Sequence, residues 1–256
     1  AAAGCDLATL RGGAPLLDPA RLRAYLEIHI EQAPVLVESA LPVAVCTGIP
    51  GNFRYPQARV VGRDDHVGTP RRFRRDASRA AAALAMAMDR EWEALEAQDV
   101  PAAMTFGRFH TDSQRHGMTV VPGVFEFSLD VRAYDAAVLA ELEAAFHRHV
   151  AAISDKFNVT VELGPRASAS VGVMDPGLIA AMQEIAAAID VPTMLLGSPG
   201  SHDAAVFAEA GVPTAMLLLR NANGSHNPDE AMEYDDLMAA CAIATGWLAN
   251  GGAAES

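Results

Sequence analysis

The sequence predicts an α/β fold that is interrupted by an inserted ferredoxin-like α+β unit. Between residues 51 and 163 the hydrophobic patterns run in the order β-α-β-β-α-β, which is the split βαβ arrangement. From residue 176 onwards short strands alternate with helices, as in α/β domains. A chain of 256 residues with 51% hydrophobic and 20% charged residues can bury a sizeable core. This composition excludes a chain that is disordered over its whole length.

The inserted unit is predicted from its strands and from two amphipathic helices. Its clearest element is a helix over residues 74–98, in which apolar residues recur at spacings of three and four. The other predicted elements are strands over residues 55–61, 104–109, 119–131 and 159–163 and a helix over residues 136–153. Because this unit is complete in itself, it divides the chain into residues 1–46, the inserted residues 47–165, and residues 166–256.

The flanking residues carry the α/β pattern. Asp18 and Pro19 are typical of a helix start, so we expect a helix that continues to residue 26. Residues 26–31 then alternate between apolar and polar, which predicts a strand. The remaining predicted elements are a β-rich segment at 43–47, helices over 176–189, 202–210 and 235–248, a Gly/Ser-rich turn at 197–201, a buried strand at 214–219 and a polar loop at 220–229.

Charge and composition exclude several classes of protein. Nineteen basic and 32 acidic residues give a formal net charge of −13, which disfavours nucleic acids and anionic membranes as partners. The longest apolar stretch, residues 212–219, contains Pro213 and is too short to span a bilayer. The sequence does not open with a signal-peptide pattern, and its three cysteines lack metal-ligand spacing. We therefore expect a cytoplasmic protein.

Two histidines fall where open α/β sheets hold ligands, at the carboxyl ends of predicted strands. His29 lies between Glu27 and Glu31, so alternation places all three side chains on one side of a strand. An edge strand with a solvated face would give the same pattern. His226 lies in the polar loop that follows the strand at 214–219, where an ordinary turn rich in Asn, Gly and Pro is the alternative.

Two further histidines stand at predicted helix starts. His202 follows the Gly/Ser-rich turn, where backbone N–H groups can meet an anion, although capping by Ser201 or Asp203 is the simpler interpretation. His66 lies in a loop in which five arginines fall between residues 63 and 75. Arginine matches carboxylates in geometry, so this loop suits a carboxylate-bearing ligand, and a solvated helix start is the alternative.

Taken together and in order, these segments resemble the hydantoinase/carbamoylase branch of the M20-type metallo-amidohydrolases. That branch includes N-carbamoyl-amino-acid hydrolases, β-ureidopropionases and allantoate amidohydrolases. The resemblance covers nearly the whole chain. It rests on EIHIEQAP at residues 27–34, HVGTP at 66–70 with RDA at 75–77, FSLDVR at 127–132, GSHDA at 200–204 and NGSHNPDE at 223–230.

The resemblance implies a zinc-exopeptidase-like catalytic domain interrupted by a lid that also forms a homodimer. It implies that two divalent metal ions, Zn²⁺ or Mn²⁺, and a glutamate base activate water to hydrolyse a C–N bond. The expected substrate is an N-carbamoyl amino acid or a related ureido acid that bears a carboxylate.

The resemblance also implies roles for individual residues. His29 and His226 are expected as metal ligands. His66 is expected to polarise the scissile carbonyl from the lid of the partner subunit. The residues expected to contact the substrate are Gln32, Arg132, which would hold its carboxylate, His202 and Asn223.

The sequence departs from the family pattern at several points. Nothing in residues 1–28 resembles the family's other metal ligands, which are a histidine, a bridging aspartate and a glutamate. Ala33 replaces a glycine, and Thr119 stands where the lid usually offers an asparagine. We therefore expect this chain to be the C-terminal portion of such an enzyme, inactive alone and with an incomplete metal site. An M20 peptidase or aminoacylase, or a non-catalytic dimerisation subunit, remain the alternatives.

Overall fold

The computed structural model describes residues 6–13 and 17–251, and these form two compact units. The first unit comprises Ala1–Thr47, Val173–Ser198 and His202–Ser256, and the second comprises Gly48–Gly172 with Pro199–Ser201. Both units combine helices with sheets, which confirms the predicted α/β class.

The strands and helices follow one another in an order close to the predicted one. In chain order the strands are β1 (Tyr25–Ile30), β2 (Val43–Cys46), β3 (Gly48–Ile49), β4 (Gly51–Val61), β5 (Asp65–His66), β6 (Ala102–Thr105), β7 (Phe109–Thr111), β8 (Val120–Val121), β9 (Val124–Ala133), β10 (Thr160–Glu162), β11 (Ala167–Ala169), β12 (Gly172–Val173), β13 (Thr193–Leu196), β14 (Thr214–Leu219), β15 (Asn221–Ala222) and β16 (Ala231–Met232). The helices are α1 (Leu7–Arg11), α2 (Val35–Glu38), α3 (Ala77–Glu96), α4 (Ala136–Phe157), α5 (Pro176–Ala188), α6 (Asp203–Glu209) and α7 (Tyr234–Ala249).

The helix predicted from Asp18 is wrong beyond its first turn. Asp18 does accept a hydrogen bond from the backbone N–H of Ala20, but only a 3₁₀ turn forms, over Pro19–Arg21. The chain then becomes extended because Tyr25–Ile30 pairs with a neighbouring strand. Pairing with a distant segment outweighs a local helix signal here.

The first unit is built on a four-stranded sheet in the order β1-β14-β2-β13. β1 runs parallel to β14 and β13 runs parallel to β2, whereas β14 and β2 are antiparallel. All six residues of β14 are buried, and α5 and α7 pack against the sheet through Leu178, Met182, Ile243 and Trp247. Because β1 and β14 are parallel, both carboxyl ends lie at the same edge of the sheet.

The second unit has the strand order and helix placement of a ferredoxin-like fold. Its sheet has the order β10-β4-β9-β6, which is antiparallel throughout, with β7 and β11 paired to β9 and β4. Buried and half-exposed residues alternate along β9. The buried side chains pack against α3 and α4 in one core that includes Phe53, Phe125, Phe127, Leu129 and Phe146. The side chains of the alternate residues leave a polar face on the sheet.

Glu31 does not share the face of His29, contrary to the prediction from alternation. It lies one residue beyond the end of β1, and its carboxylate accepts hydrogen bonds from the backbone N–H groups of Val35 (3.0 Å) and Leu36 (2.8 Å). This buried carboxylate therefore caps the short helix α2, which the sequence did not predict. Burial raises the pKa of the Glu31 carboxyl, and the two backbone donors partly offset that rise.

Of the helices in the described part of the chain, none combines the length and the apolarity that a membrane span requires.

Replacing Gly62 by alanine is expected to destabilise the second unit. A Cβ atom at this position would lie 1.9 Å from the carbonyl oxygen of Arg75, so the backbone has to shift. We expect Gly62→Ala to lower the free energy of unfolding by about 2 to 3 kcal/mol, measured by urea denaturation. Gly107→Ala is the control, because its Cβ would meet Ser128 Oγ at an ordinary 3.4 Å. Equal stability of the two variants would contradict this account of the Gly62 backbone.

Removing the cap of α2 is expected to destabilise the first unit. Glu31→Ala leaves two backbone N–H groups without their acceptor, and we expect a loss of about 1 to 2 kcal/mol in urea denaturation. Glu38→Ala changes an exposed glutamate of the same helix and is expected to have little effect. An equally small effect at Glu31 would show that its carboxylate does not cap the helix in solution.

Candidate functional site

Three side chains with metal-binding chemistry converge in the first unit. Glu27 and His29 lie two residues apart on β1, so the pleat directs them to the same face of the sheet. His202 immediately precedes α6. One ligand atom from each residue lies within 4.8 Å of the others, and within residues 6–13 and 17–251 this is the only such group of three His, Cys, Asp or Glu side chains.

His202 is the buried member of this group. Its side chain is only 1% exposed, and its Nδ1 lies 3.8 Å from Glu27 Oε1. Its other nitrogen, Nε2, lies 2.6 Å from the hydroxyl of the buried Ser198. The rings of His202 and His29 meet edge to face with their centroids 4.3 Å apart. Burial, assisted by His29, lowers the pKa of His202 to about 4, so this ring is neutral at pH 7.

The tautomer of His29 follows from its backbone contact. Nδ1 of His29 lies 2.8 Å from the carbonyl oxygen of Ile30. A carbonyl oxygen can only accept a hydrogen bond, so Nδ1 carries the proton. In the neutral ring the lone pair is therefore on Nε2, the nitrogen that is free to bind a metal ion.

The carboxylate of Glu27 is held by the start of α6. Its Oε2 accepts a hydrogen bond from the backbone N–H of Ala204 at 2.8 Å, and the Tyr25 hydroxyl lies 3.5 Å from the same oxygen. The N-terminal turn of α6 is thus capped from β1, and His202 makes no side-chain capping bond there. This leaves Oε1 as the Glu27 oxygen that faces His202.

Gln32 and His226 lie close together outside this group, and Asn223 lies in the same loop as His226. The amide nitrogen of Gln32 lies 3.4 Å from Nε2 of His226, which has a left-handed backbone (φ 62°) and is exposed. Asn223 is also left-handed (φ 67°), and its side-chain nitrogen donates to the carbonyl of Asp229 at 2.8 Å. Asn223 therefore orders the loop, and its expected contact with a substrate stays a prediction.

His66, in the second unit, presents a hydrogen-bond donor. Its Nδ1 accepts a hydrogen bond from the backbone N–H of Gly68 at 3.1 Å, so in the neutral ring the proton is on Nε2. The residue is exposed. An exposed Nε2–H has the chemistry that is needed to polarise a carbonyl oxygen.

Arg132 already has two partners within the second unit. Its Nε and Nη2 donate to the carboxylate of Asp130 at 3.1 and 3.2 Å, and its Nη1 donates to the carbonyl of Pro199 at 2.8 Å. Asp130 also accepts a hydrogen bond from Arg54 Nε at 2.8 Å. A guanidinium has five N–H groups, so Arg132 retains donors for a carboxylate ligand beyond the three used here.

The sequence patterns assigned no role to Ser198, and they did not predict that the rings of His202 and His29 are in contact. The one available signal was the spacing of Ser198, four residues before His202 in the Gly/Ser-rich turn. The contact of His202 with Glu27 joins residues 175 positions apart, which no local pattern reveals.

The donor set of the group suits a borderline divalent ion. One carboxylate and two imidazoles are ligands that Zn²⁺ commonly uses, and three protein ligands leave a position open for a substrate or water. Since His202 is neutral and His29 has a free lone pair, both rings are in the form that binds metal.

Comparison with known proteins shows which family this sequence matches. Residues 4–250 match the model of Peptidase family M20/M25/M40. The chain is 30% identical to the allantoate amidohydrolase of Escherichia coli (strain K12), over 88% of this chain and 53% of that protein. It is also 30% identical to the N-carbamoyl-L-amino-acid amidohydrolase of Paenarthrobacter aurescens, over 85% of this chain and 52% of the relative.

A solved structure from the hydantoinase/carbamoylase family is also similar to this chain. The crystal structure of an amidase of the hydantoinase/carbamoylase family from Burkholderia phymatum matches with a TM-score of 0.78 and 30% identity, over 93% of this chain and 57% of that chain. The present chain thus spans about half the length of the relatives that it matches. Because the family model covers nearly all of its residues, the chain belongs to Peptidase family M20/M25/M40.

Proposed function

We propose that this chain serves the metal-dependent hydrolysis of a C–N bond in an N-carbamoyl amino acid or a related ureido acid. The observation that carries the proposal is the group of Glu27, His29 and His202 at the end of a parallel strand. The activities named for the two curated relatives support this class of substrate.

Two divalent ions, Zn²⁺ or Mn²⁺, are part of the proposal. His29 would hold one ion and His226 the other, since both lie at the edge of the sheet where β1 and β14 end. When bound, such ions act as Lewis acids on a carbonyl oxygen and lower the pKa of water.

The remaining residues would bind and orient the substrate. Arg132, held in place by Asp130, would pair with the substrate carboxylate. Gln32, Asn223 and His202 would contact the substrate. His66 would donate its Nε2–H to the oxygen of the scissile carbonyl, where negative charge develops as the bond is attacked.

The substrate class can be tested by comparing two product assays. The polypeptide in which these 256 residues occur is loaded with Zn²⁺ or Mn²⁺ and given N-carbamoyl amino acids, allantoate and dipeptides. We expect ammonia release from the ureido compounds and little amine release from dipeptides. A preference for dipeptides would contradict the proposed substrate class.

His66→Ala is expected to lower kcat about 100-fold, because a donor to the developing charge is lost. The control is His110→Ala, which changes an exposed histidine of the same unit.

We also propose that the second unit forms a homodimer through α3 and an adjacent edge strand. Met86 on α3 and Phe73, in the turn that precedes this helix, are 55% and 54% exposed, and a dimer interface on this helix would cover such apolar surface. We expect a dimer in sedimentation at micromolar concentration and a shift to monomer for Met86→Glu. Sedimentation of monomers alone would overturn the dimer.

Mixing the His66→Ala variant with the His29→Ala variant is expected to restore activity. In a mixed dimer, the intact His66 of one subunit would act on the substrate held by the intact His29 of the other.

A further inference from the structure

We infer that α3 carries a charge pattern that fits a second copy of itself in antiparallel orientation, so that Arg79 of each helix pairs with the partner's Glu93. The inference rests on the homodimer proposed above. It adds which side chains pair across the two copies, and it makes the strength of the contact depend on charge and salt as well as on apolar surface.

The first step is that the charges of α3 run against the dipole of the helix. Five arginines lie between residues 71 and 79, around the start of α3, whereas Glu93 and Glu96 lie in its last turn. Apart from the capping residue Asp76, the first turn has no acidic residue, and the last turn has no basic one. Since a helix dipole favours the reverse distribution, these charges do not serve to stabilise α3 by itself.

The second step is that Arg79 and Glu93 are available for a partner. Arg74 and Arg75 already donate from Nε to backbone carbonyl groups of the second unit, each at 2.7 Å. Arg79 has only a ring contact, with its guanidinium carbon 5.5 Å from the centroid of Phe157. In the part of the chain that the structure describes, neither Arg79 nor Glu93 has an ion-pair partner.

The third step is that Arg79, Met86 and Glu93 lie along one line on the outer surface of α3. Each is seven residues from the next, which in an α-helix is a displacement of only about 20° around the axis. Met86 and Glu93 are exposed and Arg79 is half-exposed. With a rise of about 1.5 Å per residue, the two charges lie about 10 Å on either side of Met86.

The fourth step is that this line is self-complementary about Met86. In an antiparallel pair that crosses at Met86, the residue seven positions before the crossing faces the residue seven positions after it. Arg79 of each copy then meets the partner's Glu93, as a two-fold interface requires. A parallel pair would place like charges opposite one another, which disfavours that orientation.

The fifth step is that the centre of the line allows two helices to approach closely. Ala82 is exposed and Ala83 is half-exposed, and both lie one turn before Met86 on the same side of α3. Packed helices have axes about 8 to 10 Å apart, a gap that arginine and glutamate side chains can span from both sides. An apolar centre with charges at its rim is also typical of protein interfaces.

The test reverses one charge at a time in the polypeptide in which these 256 residues occur. In Arg79→Glu or Glu93→Arg alone, both contacts of the dimer join like charges. We expect the dimer dissociation constant to rise about 10- to 30-fold at low salt, measured by sedimentation. In an equal mixture of the two variants, one subunit is acidic at both positions and the other is basic at both, so we expect a mixed dimer with the affinity of the unaltered chain.

The control is Arg148→Glu, which reverses an exposed charge on α4 of the same unit and is expected to leave dimerisation unchanged. The double variant Arg79→Glu/Glu93→Arg keeps the complementarity and is expected to dimerise as the unaltered chain does. Circular dichroism of each variant checks that the fold is kept. Added salt is expected to weaken the unaltered dimer and to strengthen those of the single variants, because it screens attraction and repulsion alike.

The outcomes separate this inference from the proposals on which it rests. Single variants that dimerise as tightly as the unaltered chain, or a mixture that does not recover the dimer, would overturn the charge pairing and leave the homodimer standing. Monomers alone for the unaltered chain would overturn both. Charge effects as expected, without ureido hydrolysis, would contradict only the proposed reaction.

Discussion

The candidate site depends on the parallel pairing of β1 with β14. This pairing places His29 opposite Leu218 and aligns the last residues of the two strands, Ile30 and Leu219. Because β14 is buried along its whole length, its register is held by the core, and β1 takes its position from it. The edge that results holds His29 on one strand and the loop with His226 directly after the other.

The start of α6 is the second fixed point of the site. Glu27 caps this helix from β1, and the Ser198 hydroxyl holds His202 just before the helix begins. One carboxylate therefore serves two purposes, since Oε2 joins a helix to the sheet while Oε1 faces an imidazole. A change at Glu27 therefore affects both the start of α6 and the surroundings of the His202 ring.

The sequence predicted much of the fold because its signals were local. The long helices α3 and α4 follow from their apolar periodicity, and β14 has the bounds of the buried strand predicted at 214–219. The helix predicted after Asp18 failed because strand pairing with β14 outweighed a local capping signal. The short helix α2 was missed because its cap, Glu31, had been interpreted as part of the strand face. The contact of His202 with Glu27 could not be predicted, since it depends on how two distant segments pack.

The central claim of the proposed function is that His29 and His226 hold divalent ions at the edge of the sheet where β1 and β14 end. The most direct measurement is a crystal structure of the polypeptide in which these 256 residues occur, grown with Zn²⁺, with diffraction recorded at the zinc absorption edge. The account predicts one anomalous peak about 2.0 to 2.1 Å from His29 Nε2 and a second peak at the same distance from a ring nitrogen of His226. The absence of a peak at either histidine would contradict it.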